Sequence, residues 1–218
     1  MEIAFDAASG RHTGTASSAT LAHTCSGSDR VLVVSIKVAA GNTVSGVTYA
    51  GVAMTQLVTG TTPTVATRAY MFILVAPALG TNNIVATFSG SNAFGMSGAS
   101  YTRARQTQPD AAAVTVSENA TGSRTASVTV VEPGSWLVGG ALVTEDQSVT
   151  GIVNGILRTS VAQSDIIDSN GGLSPGAQTI GYTWALTDRH VFFAFSLAPA
   201  PELTGGSPML FGGGVTIG

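Results

Sequence analysis

Apolar and polar positions along the chain follow the two-residue period of β-strands almost throughout. Residues 31–38 open as the apolar run Val31-Leu-Val-Val34 and then alternate. Tyr70-Met-Phe-Ile-Leu-Val75 is uniformly apolar, as expected of a central strand covered on both faces. Asn83-Ile-Val-Ala-Thr-Phe88 is β-branched and aromatic. Trp136-Leu-Val-Gly-Gly-Ala-Leu-Val143 carries two glycines, which predict a bulge or a close backbone approach. Thr179–Leu186 alternates, and His190–Leu197 places Val191, Phe193 and Phe195 on one face. No segment repeats apolar residues at the i, i+3, i+4, i+7 spacing of a surface helix.

Turn signals separate these runs: Ser26-Gly-Ser-Asp29, Ala40-Gly-Asn42, Gly60-Thr-Thr-Pro63, Leu79–Asn83, Gly90-Ser-Asn92, Glu132-Pro-Gly134, Asn170-Gly-Gly172 and Leu186–Arg189. They recur about every ten residues, the spacing of an all-β sandwich. The pattern predicts one antiparallel, jelly-roll-like β-sandwich of about a dozen strands over residues 1–198. Ala198-Pro-Ala-Pro-Glu202 reads as a stiff linker into a Pro/Gly-rich tail over 199–218. The tail is not uniformly polar. Leu203, Met209, Leu210, Phe211, Val215 and Ile217 are spaced apolar anchors for docking on a neighbour.

Composition sharpens this picture. Of 218 residues only 10% are charged, against about 25% in ordinary domains, and the surface must be built from Ser, Thr, Gly and Ala. Such a surface suits extensive contact with neighbouring subunits and equally an extracellular β protein. The net charge of −3 and the scattered arginines leave no electrostatic footprint for nucleic acid. No apolar run reaches the roughly 18 residues of a membrane helix, and the N-terminal residues show no secretory pattern. The expectation is synthesis in the cytoplasm, with neither nucleic acid nor membrane as partner. The single cysteine, Cys25, reads as a small, partly buried hydrophobe.

Chemistry-bearing residues are few. Asp188 and His190 suggest a triad, but no G-x-S-x-G elbow accompanies them. His12, His23 and His190 with Asp6, Asp165 or Asp168 match no metal-ligand spacing. Asp165-Ile-Ile-Asp168-Ser-Asn170 lacks the D-x-D-x-D calcium pattern and reads as a solvated loop. Glu118, Glu132, Glu145 and Asp146 are carboxylates with no legible pairing. No catalytic, metal or cofactor residue is assigned, and a non-enzymatic protein is expected. The aromatics, 6% of the chain, fall mostly on core-like strand positions, so packing is the default reading; under a glycan-binding alternative Trp184 and Tyr182 are the first candidates for stacking.

Several strand motifs carry a resemblance. Ile3-Ala-Phe-Asp-Ala-Ala-Ser9, Asp29-Arg-Val-Leu-Val-Val-Ser35, Val44–Met54, Leu74-Val-Ala-Pro77 with Asn83–Phe88, and Ser135-Trp-Leu-Val138 together resemble β-sandwich domains of tailed-phage structural proteins. Similar domains occur in bacterial surface and secreted proteins. The likeness spans about residues 1–198. It implies a virion structural protein, a capsid decoration (cement) or head-spike subunit assembled in the host cytoplasm. The implied partners are capsid or tail subunits and further copies of the chain, a trimer being favoured. The alternative is a carbohydrate-binding module or host-recognition adhesin on an extracellular surface.

Overall fold

The fold comes from a computed structural model, which describes residues 1–62, 66–143, 149–159 and 164–202; the side chains of 11, 112–121, 141–143, 149 and 185–188 also lie outside the description. The described residues are all-β and contain no helix. In chain order the strands are β1 (Ala4–Cys25), β2 (Val31–Val38), β3 (Val44–Tyr49), β4 (Val52–Ala53), β5 (Thr55–Thr61), β6 (Arg68–Val75), β7 (Gly80–Thr102), β8 (Ala111–Val130), β9 (Trp136–Val143), β10 (Val149–Val153), β11 (Ile156–Thr159), β12 (Asp165–Asp168) and β13 (Gly176–Leu197).

They form two antiparallel sheets, one per half of the chain. The first runs β4-β3-β7-β2-β6-β5, with β1 on the other edge of β7. The second runs β10-β13-β9-β12-β11, with β8 on the other edge of β13. Apart from the two-residue β4, the connectivity is the same in both. The chain is two copies of one topological unit.

The register confirms the equivalence residue by residue. Cys25 pairs with Gly80 and Val130 with Gly176, both glycines having positive φ, 84° and 117°. β3 bulges between Val44 and Gly46, and β10 bulges between Val149 and Gly151, 105 positions later in each case. β5 bulges between Gln56 and Val58, and β11 between Leu157 and Thr159. Bulges bend and twist a strand, so their repetition gives both sheets the same curl.

That curl creates three apolar layers. Alternation on β2, β6 and β7 sends Val31, Val33, Met71, Ile73, Ala99 and Tyr101 to one face. There they meet Trp136, Val138, Ile166, Val191, Phe193, Phe195 and Leu197 of the second sheet. This central core joins the sheets into a sandwich. Leu32, Val34, Ile36 and Phe72 point the other way, where Ile84, Ala86 and Phe88 of β7, Tyr49 of β3 and Cys25 of β1 fold over them. The second unit repeats this outer core with Leu137, Ile167, Ile180, Tyr182, Trp184 and Phe192. Each large side chain so buried contributes roughly 1.5–3 kcal/mol of transfer free energy.

Candidate interaction surface

Two aspartates anchor the first strand of each unit. Asp6 Oδ2 accepts a hydrogen bond from the Ser26 amide at 2.8 Å and from Ser100 Oγ at 2.7 Å, and Ser26 Oγ donates to Oδ1. Asp110 Oδ2 accepts from the Val131 amide at 3.1 Å, the Glu132 amide at 3.3 Å, and Ser135 Oγ and Ser196 Oγ, both at 3.1 Å. Ser26 and Val131, like Ser100 and Ser196, are equivalent positions in the register. Each carboxylate pins the turn after the first strand to the last strand of its unit. Burial pushes the Asp6 carboxyl up, but the Ser26 and Ser100 hydrogen bonds and nearby His23 outweigh it and hold it below its ordinary value.

Beside Asp6 lies a buried polar cluster without counterpart in the second unit. His23 is 2% exposed, and its Nδ1 lies 2.8 Å from Ser9 Oγ. The matching residue in the second unit is Val128, a core residue. Burial drives the His23 imidazole down to about 4, only partly opposed by Asp6. Cys25 is a free, buried thiol, raised first by burial.

An ion pair of the second unit lies where the two units meet. Asp168 is fully buried and receives Arg158 Nε on Oδ2 at 2.6 Å and Nη2 on Oδ1 at 2.9 Å. Tyr101 of the first unit donates its hydroxyl to Asp168 Oδ2 at 3.1 Å. The Arg158 guanidinium also sits 4.2 Å over the ring of Phe5 on β1. Burial, then the Asp168 charge, pushes the Tyr101 phenol well above its ordinary range.

The structure places several of the sequence candidates. Tyr182 and Trp184 are 0% and 3% exposed, packed as their core-like strand positions predict. Alternation along β13 turns both into the outer core, where Tyr182 packs edge-on to Phe192 at 5.2 Å and Trp184 packs on His190 at 4.7 Å. Asp165–Asp168 is not a solvated loop but buried strand β12, because Arg158 neutralises Asp168 from the neighbouring strand. Ala198-Pro-Ala200 belongs to the body: Ala104 bridges Pro199, and the Ala200 amide donates to the Arg103 carbonyl at 2.8 Å. Among the described residues no group of three His, Cys, Asp or Glu could hold a metal. Glu145, Asp146 and the tail anchors Leu203, Met209, Leu210, Phe211, Val215 and Ile217 lie outside the described residues.

A cleft of about 590 Å³ opens where Met1 and Glu202 meet, lined among others by Met1, Glu2, Arg105, Glu132, Pro199 and Glu202. Its charged groups other than Glu2 are engaged in ion pairs. Arg105 bridges Asp110 at 3.3 Å and Glu132 at 3.2 Å, and the Met1 ammonium meets Glu202 at 3.1 Å.

The most accessible recognition element is backbone. β1 pairs only with β7 and β8 only with β13, so among the described residues each leaves its outer edge unpaired over 22 and 20 residues respectively. Edge strands normally carry lysine, proline or an inward charge to prevent pairing. β1 carries Asp6 and irregularities at Phe5/Ala7, Ser9/His12 and Ala16/Ser18, but from Ser18 to Cys25 it is regular and without lysine, proline or acidic residue, and Thr20, Ala22 and Thr24 lie exposed along it.

The clamp and the repeat escaped the sequence reading, though signals existed: Asp6-Ala-Ala8 returns as Asp110-Ala-Ala112, and Val44-Ser-Gly-Val47 as Val149-Thr-Gly-Ile152. No family model, curated protein or solved structure gives a significant match to the chain.

Proposed function

We propose that the protein is a non-enzymatic structural subunit of a virion, a capsid decoration or head-spike protein that works by docking on its neighbours. The observation that carries this reading is the long, lysine-free strand β1, which among the described residues pairs on one side only. A sheet edge presents alternating donors and acceptors that a neighbouring chain satisfies. The charge-poor chain supports the same reading, because surfaces with few charges lose little hydration on contact. The resemblance to tailed-phage sandwich domains supports the virion setting. Assembly into a closed homo-oligomer, a trimer, follows the usual symmetry of such subunits.

The test is the native mass of the full chain by light scattering across a concentration series, together with co-sedimentation on phage shells lacking it. A discrete oligomer that sediments with the shells is expected. A monomer at every concentration that ignores the shells overturns the reading.

A further inference from the structure

We infer that residues 203–218 of one copy add as an antiparallel strand to the free edge of β1, over His12–Thr24, of a second copy. This rests on the assembly reading above and names the surface and the occupant.

The departure point of the tail comes first. Glu202 is ion-paired to the Met1 ammonium at 3.1 Å, so the tail leaves the body beside the beginning of β1. Its sixteen residues, 203–218, span roughly 50 Å when extended, at about 3.3 Å each. They include strand-forming Met209-Leu-Phe211 and Val215-Thr-Ile217 and no charge.

The direction of the chain then excludes the tail's own β1. A tail starting at Met1 and following that edge runs parallel to β1, whereas the strand pairings of both sheets are antiparallel. The first stretch it meets is also occupied, because Arg158 of β11 lies over Phe5 there. Beyond it, Thr13, Gly14, Thr15, Ser17, Ser18, Thr20, Ala22 and Thr24 are exposed. An antiparallel strand on this stretch must come from another molecule. Backbone hydrogen bonds supply the attachment, and alternate side chains of the added strand supply register. Donor tail and acceptor edge are different surfaces, so a reciprocal exchange closes a dimer and a head-to-tail exchange closes a ring such as a trimer. The head-to-tail form agrees with a trimer.

The experiment compares the full chain with the full-length double variant Val215→Asp and Ile217→Asp, by light scattering and by hydrogen exchange resolved along the sequence. The wild-type oligomer should protect amides of residues 12–24 at least tenfold over the variant, which should be monomeric with an otherwise unchanged exchange pattern. A synthetic peptide of residues 203–218 added to the variant should restore protection at 12–24 alone. An oligomer that survives the double substitution, or peptide protection that maps elsewhere, overturns this inference and leaves the assembly reading standing. A wild-type chain that is monomeric and binds no shells removes both.

Discussion

Asp6 and Asp110 occupy the same place in two copies of one unit, each fastening the turn after the unit's first strand to a serine of its last strand. They differ in load. Asp110 accepts from two backbone amides and two hydroxyls and meets Arg105, and its side chain is 1% exposed. Asp110→Ala should therefore destabilise by about 2–4 kcal/mol and Asp6→Ala by about 1–3 kcal/mol. Denaturant unfolding of both variants checks the order. Equal losses would show that the extra partners of Asp110 contribute nothing.

The Arg158–Asp168 pair predicts a non-additive pair of substitutions. Arg158→Met strands a fully buried carboxylate and should cost about 3–5 kcal/mol. Adding Asp168→Ile, the residue type that Ile73 supplies at the matching position of the first unit, should recover most of that loss. A double variant as unstable as the single one would assign the effect to packing of Arg158 on Phe5.

His23 makes the fold acid-sensitive. Its folded value of about 4 lies below its ordinary 6.5, so the unfolded chain takes up the proton more readily. Its neutral form contributes full stability above about pH 6.5, and this is lost as pH falls from there toward about 4, roughly 3 kcal/mol in all. Asp6, held below its ordinary value of 3.8, adds a further loss at lower pH. Replacing His23 with Val, as at position 128, should flatten the profile between pH 6.5 and 4. Thermal melts across that range read this directly, and a slope unchanged in the variant would place the sensitivity elsewhere.

Gly181 marks where β13 passes closest to β8. A Cβ there would collide with the Arg124 carbonyl oxygen. Gly181→Ala should destabilise by more than about 2 kcal/mol. Gly171→Ala, where a Cβ meets nothing within 4 Å, should stay within about 0.5 kcal/mol. Melting both variants side by side checks the contrast.

Much of the fold was legible because burial in a sheet is local in sequence. The apolar run that opens Val31–Val38 and the apolar pattern of His190–Leu197 mark strands whatever lies opposite, and both segments are strands, covered on both faces. The same period says less at Tyr182 and Trp184. Alternation shows that they share a face but not whether that face is covered. Here the curl of the second sheet covers it.

The sequence by itself determined an all-β chain with antiparallel sheets, a buried cysteine and a charge-poor surface, because each follows from residue type and the two-residue period. The tertiary structure decided the rest: that the halves repeat one connectivity, that Asp6 and Asp110 are counterparts, that Arg158 reaches Asp168, and that β1 and β8 end as edges. The physical reason is separation along the chain. Val31 pairs with Tyr101 and Trp136 with Leu197, and strand partners so distant are selected by the packing of whole faces and the curl imposed by bulges.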